Sequence, residues 1–265
     1  MDRSTSQPWG AWRKEPIDRE VTNMSKTVVL LIEATGLKGR KVIRHLATDS
    51  RFSEKFDLRV VLDDTGEATD TLDRWNVPWD VTNNRSNPKT ALERVSPESG
   101  IDYLVACGWG YLLPDDVLSI PEQAALNCHS SYLPDYKGLS VYRPQWAHAE
   151  RYGGATIHVM NEEIDEGPII TQGRFTITLW DTPLDIAHKY SDLTAPLLRE
   201  AIALIEQGYE GTAHSGGRYF SKVPWTTTLT HGIVNHVCRA FGFSYRWEIE
   251  PTKEAKFGSV RGECE

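Results

Sequence analysis

The chain alternates between apolar runs and mixed, helix-like stretches. The first run, TVVLLIE at 27–33, is continuous, which is typical of a strand buried on both faces of a parallel sheet. Further strand-like runs follow at 57–64, 77–80, 101–110, 125–129, 154–160 and 168–177. Strands that alternate with helices predict an α/β fold, with a Rossmann-like, mostly parallel sheet and helices on both faces.

Helical patterns follow residue 36 and recur at 113–120, 140–151 and 181–208, and the last of these is the longest. Thr182 and Pro183 give that helix a capped start, and Gly208 gives it an end. Pro196 in its interior predicts a kink or a split. Residues 65–100 are polar and weakly patterned outside the strand at 77–80.

The pattern divides the chain into three parts. Residues 1–25 form a polar N-terminal arm with Trp9, Trp12 and a second candidate start at Met24. Residues 26–208 form the main α/β domain. Residues 209–265 form a small C-terminal region, in which strand-like runs at 218–225 and 242–249 flank a short helix at 231–241.

Composition excludes several classes of protein. Of the 265 residues, 40% are hydrophobic and 25% charged, which is ordinary for a globular protein. The net charge of −8 argues against nucleic acid as the main partner. No apolar run approaches the ~18 residues of a membrane span. The four cysteines are widely spaced, which favours reduced thiols and a cytoplasmic location.

Candidate chemistry begins in the stretch NCHSSYLPDYKG at 127–138. Side chains two positions apart in a strand share a face, so Asn127 and His129 point the same way. An amide N–H can stabilise a developing oxyanion, and an imidazole can donate to a carbonyl or move a proton. The pair therefore suits acyl transfer without a nucleophilic residue. The alternative is that Asn127 caps a turn and His129 is a buried structural histidine.

The acidic loop NEEIDEG at 161–167 lies between two predicted strands. Gly167 allows a tight backbone that would turn Asp165 inward. A carboxylate beside His129 would hold its protonation state and accept a proton from an attacking amine. The other acids of the loop, including Glu166, are expected to face solvent.

These two motifs resemble those of the folate-dependent formyltransferases, and the resemblance covers roughly residues 27–208. That family includes glycinamide ribonucleotide, methionyl-tRNA and sugar N-formyltransferases. The resemblance implies a catalytic domain at 26–208, a catalytic triad of Asn127, His129 and Asp165, and 10-formyltetrahydrofolate as co-substrate, with no metal. Contacts to the folate are implied for Trp109, Tyr111, Leu112, Leu113, Glu162, Glu163 and Ile164.

The acceptor is a separate question. The loop ATGLKGRK after the first strand departs from the phosphate loop of the glycinamide ribonucleotide enzymes. The small C-terminal region looks more like that of the sugar N-formyltransferases, which implies a nucleotide-linked amino sugar and a homodimer. Candidate acceptor contacts, which follow the catalytic strand, are Lys137, Tyr142, Arg143 and Trp146.

Other functions remain open at this point. A glycinamide ribonucleotide-type or other small-amine formyltransferase, or a hydrolase of 10-formyltetrahydrofolate, would use the same core. A dinucleotide-binding oxidoreductase could hold a ribose on Asp63 and Asp64, but residue 34 is alanine where G-x-G-x-x-G requires glycine. A catalytically inactive binding module would need neither Asn127 nor His129.

Overall fold

A computed structural model describes residues 25–244 and 246–252 of the chain. The predicted N-terminal arm, with Trp9, Trp12 and Met24, and the cysteine at 264 lie outside the described residues. Cys107, Cys128 and Cys238 form no disulfide. Within the described ranges, no helix is both long enough and apolar enough to cross a bilayer.

Strands and helices follow one another along the described residues. The strands are β1 (Lys26–Ile32), β2 (Phe56–Leu62), β3 (Trp79–Val81), β4 (Tyr103–Ala106), β5 (Ala124–His129), β6 (Tyr136–Gly138), β7 (Tyr152–Val159), β8 (Ile169–Thr176) and β9 (Arg218–Phe220). The helices are α1 (Leu37–Ala47), α2 (Ser50–Ser53), α3 (Glu67–Arg74), α4 (Lys89–Val95), α5 (Asp115–Leu118), α6 (Tyr142–Ala147), α7 (Pro183–Glu206) and α8 (Trp225–Ala240).

The main sheet has the strand order β3-β2-β1-β4-β5-β7-β8. Its first five strands run parallel, whereas β7 is antiparallel to β5 and β8 is antiparallel to β7. The predicted α/β fold is therefore confirmed. The carboxyl ends of β1, β4 and β5 meet at one edge of the sheet, where such folds bind ligands.

Alternate residues of β1 face two hydrophobic cores. Val28, Leu30 and Ile32 belong to one core, which α1 and α7 complete. Val29 and Leu31 belong to the other, which α4 completes. Helices therefore cover both faces of the sheet, and the continuous apolar run of β1 is explained by burial on both sides.

The longest helix, α7, begins as the sequence predicts. The Thr182 side chain accepts from the Asp185 N–H, and the Asp185 side chain accepts from the Thr182 N–H, so the two form a capping box. Pro196 does not split the helix. A proline in a helix costs about 3 kcal/mol, but burial of Leu197, Leu198 and Ile202 around it contributes about 1.5–3 kcal/mol for each side chain.

Several predicted boundaries were wrong. Two short helices, α3 and α4, lie in the stretch 65–100, where the pattern indicated none. The helix predicted at 140–151 is only the six residues of α6. The C-terminal helix begins at Trp225 rather than at 231, and the predicted strand at 242–249 does not form in its described residues.

Side chains explain the missing strand. The Trp247 N–H donates to the Asn235 side chain, and the Ile249 N–H donates to Nε2 of His148. These backbone donors are satisfied by α8 and the end of α6 rather than by a neighbouring strand. The segment after α8 therefore packs as an irregular chain on the body of the protein.

A second, two-stranded sheet joins β6 to β9. The pairing is parallel, with Lys137 opposite Tyr219 and Gly138 opposite Phe220. An added Cβ at Gly138 would lie 2.2 Å from the Phe220 carbonyl oxygen, so only glycine allows this close approach. The small sheet brings the C-terminal region beside the end of β5.

Candidate active site

The two polar side chains of β5 point to the ligand-binding edge of the sheet. Asn127 pairs in register with His158 of β7, and directly opposed residues of antiparallel strands share a face. The Asn127 Nδ2 atom lies 3.0 Å from His158 Nε2 and 3.2 Å from Asp165 Oδ1. Asn127 therefore links β5 to the acidic loop.

Asp165 is turned inward as the loop sequence predicts. It has a φ of +53°, in the left-handed region, and its side chain is 6% exposed. Oδ2 accepts from the Gly138 N–H at 2.7 Å, and Oδ1 lies 3.3 Å from His129 Nδ1. An added Cβ at Gly167 would lie 1.8 Å from the Val159 carbonyl oxygen, which explains the glycine that closes the turn.

The imidazole of His129 has acceptors on both sides. Its Nε2 lies 2.7 Å from the Tyr136 carbonyl oxygen, which can only accept, so Nε2 carries a proton. Its Nδ1 faces the Asp165 carboxylate. Both ring nitrogens of His129 therefore lie beside oxygens that can accept hydrogen bonds.

The electrostatics agree with an ionised Asp165. Burial alone would raise its pKa, but the charge of His129 and a hydrogen bond with His129 hold the pKa well below the ordinary value for aspartate. The carboxylate is thus available as a proton acceptor at neutral pH only if one of its partners moves or exchanges its contact.

His158 is a residue of the site that the sequence left ambiguous. Its Nε2 lies 3.5 Å from Asp165 Oδ1, and its Nδ1 lies 2.9 Å from the Val159 carbonyl oxygen. Donation from Nδ1 to that carbonyl leaves Nε2 free to accept from Asn127. The signal that could have found His158 is its register opposite Asn127, which the sequence alone does not fix.

These side chains line a cavity of about 340 Å³, a size that suits a small-molecule site. Of the predicted folate contacts, all but Glu162 line it, namely Trp109, Tyr111, Leu112, Leu113, Glu163 and Ile164. Asn127, His129, His158 and Asp165 form part of the same wall. The structure thus brings together the loop after β4, the acidic loop and the triad.

The predicted acceptor contacts divide differently. Tyr142 lines the cavity, and Lys137, Arg143 and Trp146 do not. Lys137 is fully buried and pairs with Glu166, with 2.6 Å between Nζ and Oε1. Arg143 stacks on the Trp225 ring at 4.2 Å and donates to the Val223 carbonyl.

Trp146 is likewise a packing residue. It donates from Nε1 to the Asp181 carbonyl oxygen at 2.6 Å, and its ring lies 4.8 Å from that of His236. An added Cβ at Gly232 would lie 1.9 Å from the Trp146 ring, so the indole fills the seam between α6 and α8. Arg143 and Trp146 both join the C-terminal region to the body.

The amino end of α1 forms another side of the cavity. Gly36 precedes the helix, and Lys38 in its first turn donates to the Cys128 carbonyl at 2.5 Å and to Ser130 Oγ at 3.2 Å. Glu33 lines the same end, and burial, reinforced by the charge of Asp63, raises its pKa. A phosphate bound here would face the Glu33 carboxylate.

Comparison with known proteins agrees with this geometry. A family model described as formyl transferase matches residues 22–202, about two thirds of the chain. A methionyl-tRNA formyltransferase of Caldicellulosiruptor saccharolyticus is 29% identical over 164 residues, which are 62% of this chain and 46% of that protein. The chain spans between a third and a half of the length of such curated relatives.

Two solved structures share the fold. Glycinamide ribonucleotide transformylase 1 from Symbiobacterium toebii superposes with a TM-score of 0.60 at 24% identity and covers 69% of this chain and 89% of that one. HypX from Aquifex aeolicus in complex with tetrahydrofolic acid gives a TM-score of 0.58 at 16% identity, covering 76% of this chain and 30% of that one.

Proposed function

Because the chain belongs to the formyl transferase family, we propose that it is a folate-dependent N-formyltransferase, which transfers a formyl group from 10-formyltetrahydrofolate to a primary amine. One observation carries the proposal. Asn127 and His129 from β5 and Asp165 from a distant loop converge on one wall of a cavity, with both side chains of β5 within 3.3 Å of Asp165 Oδ1.

The cavity fits a folate. The loop after β4 contributes apolar side chains, Leu112 and Leu113, and Gly108 with a φ of +81° exposes backbone groups to the cavity. Trp109 lines the cavity, and its buried Nε1 has no hydrogen-bond partner among the described residues. An apolar slot of this kind suits the face of a flat ring. When bound, 10-formyltetrahydrofolate supplies the formyl group to be transferred.

Asn127, His129 and Asp165 would have different roles in acyl transfer. The two N–H groups of the Asn127 amide are engaged by Asp165 and His158, so an entering carbonyl oxygen would take the place of one of them. The His129 imidazole would add a second donor near that oxygen if the oxygen replaced one of its present acceptors, the Tyr136 carbonyl or the Asp165 carboxylate. A donor of this kind contributes about 3–4 kcal/mol to transition-state stabilisation in comparable sites. Asp165 would accept the proton that the attacking amine loses, and that proton would end on the nitrogen of the departing tetrahydrofolate when its bond to the formyl carbon breaks.

For the acceptor we propose an amine on a hydroxylated small molecule, with a nucleotide-linked amino sugar as the first candidate. Hydroxyl groups line one part of the cavity, contributed by Ser130, Ser140, Tyr142 and Tyr190. The relatives named for methionyl-tRNA and for glycinamide ribonucleotide make those two acceptors the rivals to be tested beside it.

A single screen tests the proposal. The protein is incubated with 10-formyltetrahydrofolate and, in turn, nucleotide-linked amino sugars, glycinamide ribonucleotide and methionyl-tRNA, and release of tetrahydrofolate is followed by absorbance. We expect acceptor-dependent release that Asn127→Ala slows about 10²- to 10³-fold. Release of formate at the same rate without any acceptor would instead identify a hydrolase. No release under any condition would refute formyl transfer.

A further inference from the structure

The three-residue strand β6 contacts Asp165 and Glu166 of the acidic loop as well as His129. The Tyr136 carbonyl accepts from His129, and the Gly138 N–H donates to Asp165. Between them, the Lys137 side chain pairs with Glu166, the residue that follows Asp165. One short strand thus fixes the imidazole, the carboxylate and the backbone that carries the carboxylate.

Lys137 and Glu166 form an ion pair that the fold strongly constrains. The Lys137 side chain is 0% exposed, and Glu166 is its ion-pair partner among the described residues, with 2.6 Å between Nζ and Oε1. Burial opposes ionisation of Glu166, but the charge of Lys137 and a hydrogen bond from Tyr219 lower its pKa. A buried ammonium group without its carboxylate is strongly destabilising, so Glu166 is held where Lys137 puts it.

Tyr219 of β9 completes this contact. Its hydroxyl lies 2.6 Å from Glu166 Oε1 and 2.7 Å from the Ile164 carbonyl oxygen, so it donates to the acidic loop in either case. Its ring lies 5.4 Å from Lys137 Nζ. The hydroxyl therefore reaches the residues on both sides of Asp165. β9 itself lies beyond residue 202, where the family match ends.

We propose that Lys137, Glu166 and Tyr219 act as positioning residues for Asp165, and that the C-terminal strand β9 is thereby part of the catalytic apparatus. We call these three residues the β9 latch. Asp165 holds a left-handed φ, a strained backbone conformation for a residue other than glycine. The latch supplies contacts on both sides that keep the carboxylate within reach of His129 and Gly138.

This inference rests on the proposed function only for its kinetic test. Tyr219→Phe removes one hydroxyl and leaves the ion pair intact. We expect kcat to fall about 5- to 10-fold, the effect of one lost hydrogen bond. The matched control is Tyr209→Phe, also in the C-terminal region, whose hydroxyl lies 2.7 Å from Thr212 Oγ1 outside the latch. The control should keep the wild-type kcat.

The pH profile separates positioning from general weakening. In the wild type, Asp165 stays ionised well below the ordinary pKa of aspartate because His129 is close. If the carboxylate drifts from His129, burial dominates and raises its pKa. The acid limb of kcat should therefore move to higher pH in Tyr219→Phe and remain in place in Tyr209→Phe. A merely structural role would lower the yield of folded protein without moving the limb.

Hydrogen exchange tests the latch without any turnover. The Gly138 N–H donates to Asp165, so its exchange reports whether the carboxylate stays in place. We expect about tenfold faster exchange in Tyr219→Phe than in wild type or Tyr209→Phe. Unchanged exchange together with an unchanged acid limb would overturn the proposal. If no acceptor is ever formylated, exchange at Gly138 alone decides the question.

A double substitution guards against misfolding. Lys137→Met alone leaves Glu166 without its partner and is expected to lower stability. Lys137→Met with Glu166→Gln removes both charges, which commonly restores stability at a buried pair. The double variant should recover its unfolding midpoint and still show fast Gly138 exchange. If the unfolding midpoint and the Gly138 exchange rate both returned to wild-type values, the Lys137–Glu166 pair would contribute to stability alone.

Discussion

Replacing Asp165 with asparagine removes the charge at the centre of the site while keeping the size of the side chain. The Oδ2 position accepts from Gly138, and the Oδ1 position faces Asn127, His129 and His158. An amide has only one oxygen, so its NH₂ group must meet a donor on one of these two sides. Either orientation leaves a buried donor without an acceptor.

The expected cost follows from these contacts. Breaking a buried ion pair by removing one partner costs about 3–5 kcal/mol. The amide oxygen still satisfies one of the two sides, so we expect Asp165→Asn to lower the free energy of unfolding by about 3 kcal/mol at pH 7. Glu162→Gln makes the same charge change in the same loop at an exposed side chain, and should cost no more than about 0.5 kcal/mol.

The direction of the Asp165 pKa shift predicts how the difference in stability between wild type and Asp165→Asn changes with pH. The folded-state pKa of Asp165 is lowered, so its contribution to stability is present above the unfolded pKa, near 3.9, and is lost as pH falls below it. The difference between wild type and Asp165→Asn should therefore be constant from pH 7 to about pH 5 and shrink towards pH 3. Urea unfolding followed by circular dichroism measures this difference.

The reasoning fails under either of two results. Asp165→Asn and Glu162→Gln could prove equally stable at pH 7, which would mean that the carboxylate makes no net contribution. The deficit of Asp165→Asn could also persist unchanged at pH 3, which would assign it to packing rather than to charge.

Three further predictions follow from contacts described above. Asn127→Ala should lower kcat about 10²- to 10³-fold with a smaller change in KM, because an oxyanion donor acts mainly in the transition state; a parallel rise in KM at constant kcat in steady-state assays would contradict this. Gly167→Ala should displace the acidic loop, because its Cβ would lie 1.8 Å from the Val159 carbonyl oxygen. The variant should have a lower melting temperature and a lower turnover. Turnover equal to that of the wild type would show that the position of the loop does not matter. Thr182→Ala removes the cap of α7 and should cost about 0.5–2 kcal/mol in urea unfolding without affecting kcat; an unchanged unfolding midpoint would mean that water replaces the cap.

Local sequence patterns predicted the central sheet and, within the site, the positions of Asn127, His129 and Asp165. Asn127 and His129 could be placed on one face because residues two apart share a face of any strand, whichever strand it pairs with. The turn at Gly167 indicated an inward Asp165, and it too depends only on neighbouring residues. The resemblance to a family added the co-substrate, which no spacing of residues could supply.

Long-range pairing is what the sequence could not reveal. His158 is a histidine on a strand, and only its register opposite Asn127 makes it part of the site. Lys137 lies between a tyrosine and a glycine after a predicted turn, where a lysine is normally exposed. Its burial depends on pairing with β9, which comes from the far end of the chain.

Short helices were missed for a different reason. α3 and α4 have eight and seven residues, so each offers only two buried turns for a period of 3.6 to appear. At Pro196 the sequence suggested a break in α7 that does not form. The cost of a proline in a helix can be read from the sequence, whereas the burial that offsets this cost cannot. Both errors come from weighing local preference without the packing that competes with it.

The pairing of β6 with β9 has a consequence for the order in which a newly made chain matures. Ribosomes add about 5–20 residues per second, so β9 is synthesised several seconds after β6. Until it arrives, the main sheet can form while Lys137 lacks its neighbour on β9. A growing polypeptide could thus form its central sheet before Tyr219 is made, and a fragment that terminates ahead of Arg218 would lack the hydroxyl that contacts Glu166 and Ile164.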